Sequence, residues 1–298
     1  MKQRGLTEPT QQLSGLDLGG NNRKLITYLF LLSTILPGCP SSSANEINPT
    51  TDKDSTELSV QSSPNRFKHS YPFSKSKDVQ SLDSAIEPPM GYKRVQAKSE
   101  FGDWLSHLPI KPEEYDVHTF RGKIASLKQR FFMKNAGVVD MSILNRNQQC
   151  ADSILRLRAE FLRSKRRKIR FKFGRGYKTF PARGSRRAFN RFLKRIYGCM
   201  GTASMKRDLK KVKPDNLRIG DMNVQNRTGS VGHIFLILDM AENNQGNRKY
   251  LLGQGSMPAQ EFHIIEPLIQ VSPWTDMDEL QAGLQIASPH GKGVFRRF

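Results

Sequence analysis

The chain has 298 residues with 48 Lys+Arg against 27 Asp+Glu, a formal net charge of +21 at pH 7. That length holds one or two ordinary domains and excludes a large multidomain machine. With only 37% hydrophobic residues, part of the chain is expected to be tether rather than core.

The charge is unevenly placed. Residues 1–38 carry four basic and two acidic side chains, and residues 39–98 carry eight and seven. The last 200 residues therefore hold 36 and 18, and the window 156–195 alone has 17 Lys or Arg against one acid, Glu160. Such a density points to a polyanion partner.

In chain order, residues 25–36 (LITYLFLLSTIL) come first, an uncharged run after Arg23 and Lys24 and before Pro37, Gly38 and Cys39. A spanning helix needs about 20 apolar residues, so the run has the length of a signal-peptide core instead. Leu36, Gly38 and Cys39 resemble the bacterial lipobox, whose cysteine is lipidated and becomes the mature N-terminus. The expectation is a signal peptide over 1–38, lipidation at Cys39, and an exported bacterial lipoprotein held to the membrane in the periplasm or at the cell surface. Residues 39–89, rich in Ser, Thr, Asn, Pro and alternating charges, read as a flexible tether. A single domain is expected over 90–298.

Within that domain, Ala151, Ile154, Leu155, Ala159 and Leu162 recur at helical spacing over 147–164, with Asn147 as the cap and Cys150 in the first turn. Ile169, Phe171 and Phe173 alternate with Arg170 and Lys172 as in a strand with one wet face. Ser185 caps a second, basic helix whose inner face is Phe189, Phe192, Leu193 and Ile196. Past Thr202 the pattern turns to strands at 219–224, 233–239, 250–254 and 260–265, the middle two joined by the turn-rich 243–247 (NNQGN) into a hairpin. This order predicts an α+β fold, a helix-rich N-terminal half packed on an antiparallel sheet.

Export permits a Cys150–Cys199 disulfide, but two cysteines without CxxC or His spacing make no zinc set, and neither metal nor cofactor is expected. Cys199 reads as a small packing residue. Cys150 sits at a helix N-terminus, where backbone N–H groups and the macrodipole favour a thiolate. His233, opening an apolar strand, is the candidate base, with His263 in a period-2 strand as the second candidate. The returning strand end brings Gln254, or failing that Ser256, beside His233 to orient it. Gln148 and Gln149 supply an amide N–H for an oxyanion alongside that of Cys150. The plain alternative is a buried thiol facing the sheet and a hydrogen-bonded strand-end histidine. Asp152 and Glu160 are expected to pair with local arginines.

Several blocks resemble a bacterial family of exported proteins, domain of unknown function 4846. They are FGDWLSHLP (101–109), QQCADSILRLRAEFL (148–162), GTASM (201–205), IGD (219–221), GHIFLILDMA (232–241) and LLGQGSMPAQEFHI (251–264). They run in the family's order over about residues 90–270. The sequence of features, Cys at a helix start, GH opening a strand and a polar residue ending the next strand, is similar to papain-like cell-wall peptidases and amidases of NlpC type. That similarity implies a papain-like architecture and acyl transfer by Cys150, His233 and Gln254 on peptidoglycan or another envelope amide.

A second reading has no chemistry. The exported module would hold anionic lipid headgroups or wall polymers on a basic face formed by Arg166, Arg167, Lys168, Arg186 and Arg187. Nucleic-acid binding needs a cytosolic population, which the signal-like run argues against.

Overall fold

The computed structural model describes residues 68–112, 114–126, 133–226, 232–267, 272–278 and 293–298. The signal-like run, Cys39, the tether up to residue 67 and His290 lie outside them. Folded structure is already present where the description begins. Tyr71 and Phe73 are buried against Trp104, with ring centroids 5.0 and 6.0 Å away. The Tyr71 hydroxyl donates to the Trp104 carbonyl at 2.7 Å. Leu82 is fully buried. The expected tether through residue 89 is therefore corrected: residues 68–89 belong to the folded body. Their apolar anchors are spaced singly among Ser, Lys and Asp, so composition hides them.

This first segment forms β1 (Gln80–Ser81), α1 (Leu82–Ala85), β2 (Tyr92–Arg94), α2 (Glu100–Ser106) and β3 (Pro109–Ile110), with β1 and β3 paired. Ser99 caps α2 by accepting from the Gly102 N–H at 3.0 Å, satisfying one of the helix's orphan donors. After β4 (Met133–Val138) comes α3 (Cys150–Ser164), which buries Ile154, Leu155, Leu157 and Phe161 and packs across the later strands. Its cap is Gln149 rather than Asn147, so Cys150 is the first helical residue.

β5 (Ile169–Phe173) and β6 (Gly176–Phe180) form a hairpin, turning at Gly174, whose φ of 57° suits glycine. Ile169 and Phe171 face inward while Arg170 and Lys172 are wet. In α4 (Arg186–Ile196), capped by Ser185 accepting from the Ala188 N–H at 3.2 Å, the inner face is Phe189, Phe192, Leu193 and Ile196. α5 (Thr202–Asp208) and β7 (Lys210–Lys211) follow.

The remaining strands are β8 (Met222–Gln225), β9 (His233–Asn243), β10 (Arg248–Gln254), β11 (His263–Pro267), β12 (Trp274–Thr275) and β13 (Val294–Arg297). Together they build a nine-stranded sheet in the order β4-β11-β10-β9-β8-β13-β7, with β12 also on β10 and β2 also on β9. Each pairing is antiparallel. β9 is buried from His233 to Ala241 without alternation, the mark of a strand covered on both faces.

The expected helix-rich N-terminal half, and the papain-like architecture built on it, are overturned. The fold is mainly antiparallel β, strands run from Gln80 to Arg297, and β2 and β4 join the sheet from before the first long helix. Among the described residues only α3 and α4, of 15 and 11 residues, exceed two turns. The missed strands are short and lean on the ladders of β9, β10 and β11, so they carry little alternation of their own. The described residues fall in one unit, Gln61–Phe298, and none of their helices is long and apolar enough to cross a membrane.

Candidate functional site

Two glycines set how closely three elements meet. A Cβ on Gly232 would press on the Thr202 side chain and lie 2.8 Å from the Gln225 carbonyl, so only glycine lets the chain enter β9 there. A Cβ on Gly255 would lie 2.7 Å from Ser153 Oγ and 3.3 Å from the Gln149 carbonyl. Lacking it, the end of β10 lies against the first turn of α3. The GH and QGS motifs in the sequence are thus close-approach devices that bring His233, Gln254 and the Cys150 helix together.

The polar groups form a relay. His263 Nδ1 is 3.0 Å from the Glu261 carbonyl, which can only accept, so Nδ1 carries the hydrogen. Full burial pushes the His263 pKa down to about 4, leaving the ring neutral with its lone pair on Nε2. That nitrogen accepts from Gln254 Nε2 at 3.2 Å. The carboxamide is thereby oriented, and Gln254 Oε1 accepts from His233 Nε2 at 2.6 Å. A neutral His233 then keeps its lone pair on Nδ1. Phe235 steadies the imidazole edge-on, centroids 4.6 Å apart. His233 and Gln254 are 3% and 0% exposed, so these bonds form in a low-dielectric setting where they are strong.

Cys150 is 9% exposed. Burial pushes its thiol up to about 12 and nearby Asp152 adds to this, outweighing the N–H groups of Ala151, Cys150 and Ile234 that favour the thiolate. The Ile234 amide places the sulfur beside the start of β9. The expectation of a lowered thiol pKa is corrected: the helix terminus helps, but desolvation is larger.

Asp152 accepts from the Gln149 N–H at 3.1 Å instead of pairing with an arginine, and burial raises it to about 7. Glu160 does pair, with Arg186 at 2.6 Å and Arg156 at 3.6 Å. Gln149 caps α3, its carbonyl accepting from the Ser153 N–H at 2.9 Å. Gln148 is fully buried, with Oε1 accepting from Leu144 N and Arg156 Nη1, both at 3.0 Å, while its Nε2 has no partner among the described residues. Ser256 is buried after β10.

The comparisons with known proteins bear on this geometry. Two overlapping segments, residues 82–183 and 176–290, match the family described as "Domain of unknown function (4846)". The chain belongs to this family. The match to domain 4846 takes in Cys150, His233, Gln254 and His263 alike. Neither the curated proteins nor the solved structures contain a match.

Other expected site residues are placed differently. Cys150 and Cys199 are not joined to each other, and Cys199 is exposed rather than packed. Arg186 is engaged by Glu160, and Arg167 by Glu100 at 2.6 Å, whereas Arg166, Lys168 and Arg187 are exposed. His263, expected as a second base, has both ring nitrogens engaged and acts as the group that orients Gln254.

Sequence reasoning also missed a cluster at α2. His69, Asp103 and His107 offer ligand-type atoms within 4.8 Å of one another. His69 Nε2 is 2.9 Å from Asp103 Oδ2, His107 Nδ1 donates to the Asp103 carbonyl at 2.7 Å, and the Lys68 ammonium lies 2.7 Å from Asp103 Oδ1. With an ammonium already on its carboxylate, the cluster reads as a polar knot tying the N-terminal segment to α2. The i, i+4 spacing of Asp103 and His107 was the available signal.

Proposed function

We propose that this domain of unknown function is an envelope amide hydrolase with Cys150 as nucleophile, His233 as base and Gln254 as the group orienting the base. The observation that carries the reading is the His263–Gln254–His233 relay, which fixes the His233 ring at the start of β9, next in the chain to Ile234, whose backbone N–H approaches the Cys150 sulfur. A nucleophile, a base and a base-orienting acceptor are the three parts that acyl transfer needs. The order of the three along the chain, shared with papain-like cell-wall peptidases, supports the same chemistry without requiring their architecture.

Because the thiol rests near 12, no preformed ion pair drives the reaction. His233 Nδ1 takes the thiol proton as sulfur bonds to the amide carbon. The carbonyl oxygen becomes an oxyanion facing the Cys150 N–H, with the Gln148 amide as second donor. The C–N bond breaks as the imidazolium returns its proton to the leaving amine, and water, deprotonated by His233, releases the acyl group. Bacterial export, lipidation at Cys39 and a membrane-held location make peptidoglycan stem peptides the substrate of choice. Incubation with purified sacculi should release new amino and carboxyl ends, read by mass spectrometry, and Cys150→Ala should abolish them. Equal release by Cys150→Ala would end the proposal.

One observation favours the second reading, a non-catalytic envelope module holding anionic lipid or wall polymer. Arg166, Lys168 and Arg187 are exposed with no carboxylate within ion-pair distance among the described residues. Reversing these three charges should abolish binding to anionic vesicles and leave amide hydrolysis intact. Vesicle binding unchanged by the reversals would exclude this module.

A further inference from the structure

Arg158, on α3, has its guanidinium carbon 4.7, 5.3 and 5.5 Å from the ring centres of Phe101, Phe161 and Phe298. These rings hold the cation in place and strip water from it. Yet Arg158 makes no ion pair or hydrogen bond among the described residues. It borders a cavity of about 220 Å³, also lined by Arg167, Arg218, Arg297, Glu100 and Asp221.

Both acidic side chains in that lining are already committed. Asp221 accepts two bonds from Arg297, each 2.6 Å, and a third from the Arg218 backbone N–H at 2.9 Å. Glu100 pairs with Arg167 at 2.6 Å. Among the described residues neither the Arg158 nor the Arg218 side chain makes an ion pair; Arg158 is partly buried under its rings, and Arg218 is exposed beside it in the lining. Protein interiors pair their charges, because desolvating a lone ion is costly. Burial, with Arg167 nearby, pushes Arg158 down to about 10, in keeping with a cation that lacks an anion.

We infer that this cavity is a binding site for a phosphate-type oxyanion, with Arg158 and Arg218 as its two ligating guanidiniums. The lining has four arginines, Arg158, Arg167, Arg218 and Arg297, against two acidic side chains, Glu100 and Asp221; that surplus of two matches a dianion, and the guanidinium fork fits phosphate oxygens two at a time. A single carboxylate would leave one cation unmatched. The site is independent of Cys150, and its two ligating arginines are not among the five of the basic face described above, although Arg167 of that face lines the same cavity.

Calorimetry and thermal melting with inorganic phosphate test it on the folded domain. Phosphate should bind and raise Tm. Arg158→Met should weaken binding at least about tenfold, and Arg218→Gln, at an exposed position, by severalfold. Arg187→Gln should change nothing. Without phosphate, Arg158→Met should melt no lower than the parent, because it removes an uncompensated cation and keeps the packing volume. No binding at about 10 mM phosphate, or an equal loss in Arg187→Gln, would overturn the site. Free phosphate esters and lipid headgroups share this chemistry, and phosphatidic acid vesicles separate them. Vesicle capture lost in Arg158→Met assigns a headgroup; capture indifferent to Arg158, with inorganic phosphate still dependent on it, assigns a soluble ester.

Discussion

His233 Nε2 and Gln254 Oε1 are 2.6 Å apart, and the direction of that bond is set one residue further back, at His263. The carboxamide could flip if its nitrogen had no acceptor. His263→Leu removes that acceptor, so the proposed base loses its fixed tautomer. Alkylation of Cys150, followed in a Cys199→Ser background, should then slow about tenfold. His263→Gln, which still offers an oxygen to the Gln254 N–H, should recover part of the rate. Equal rates in both variants would remove His263 from the relay.

The same histidine makes stability depend on pH. Its pKa falls from 6.5 to about 4 on folding, so between these values the unfolded chain takes up a proton that the native state refuses. Stability is lost as pH falls through this window, by roughly 3 kcal/mol in full. Asp152 acts in the opposite sense: raised from 3.8 to about 7, it keeps a proton in the native state and costs stability as pH rises. The two slopes offset each other in the parent. Asp152→Asn keeps an oxygen for the Gln149 N–H and should expose the His263 slope, giving a steeper loss between about pH 6.5 and 4 in urea titrations.

Gly255 carries a steric prediction. Alanine there would bring a methyl to 2.7 Å from Ser153 Oγ, which costs about 1–3 kcal/mol as overpacking. Ser153→Ala removes the struck oxygen, so the double variant should be more stable than Gly255→Ala alone. Additive effects would show that the loop after β10 does not press on α3.

Glu160 is a buried counter-ion, its side chain and that of Arg156 each 1% exposed. Glu160→Ala leaves Arg156 without its carboxylate in the interior and should cost about 3–5 kcal/mol in denaturant midpoint analysis. A loss under about 1 kcal/mol would mean that the Gln148 and backbone acceptors suffice for Arg156.

Legibility in the sequence followed periodicity. Ser185 and the Phe189, Phe192, Leu193, Ile196 stripe located α4, and the Ile169–Phe173 alternation located β5. The 243–247 turn located the β9–β10 hairpin, which closes through Asn243 N–H to the Asn247 carbonyl at 3.0 Å. Residues 219–221 read as strand but form a turn, because Gly220 takes φ 96°. β4 (MKNAGV) carries no alternation and is set by its partner β11. The choice of Gln254 came from hairpin register. The orienting role of His263 could not, since it depends on which carbonyl faces Nδ1. The high Cys150 pKa was equally hidden: helix-terminal position is visible in sequence, desolvation by β9 is not.

The central claim, that His233 serves Cys150 as base, is tested most directly by the rate of Cys150 alkylation from pH 5 to 9 in Cys199→Ser and in its His233→Ala derivative. With a thiol resting near 12, unaided thiolate is scarce at neutral pH, so any appreciable rate there needs the imidazole. The account predicts a rate at pH 7 at least about tenfold above the His233→Ala protein, converging as the pH rises. Superimposable profiles across the range would contradict it.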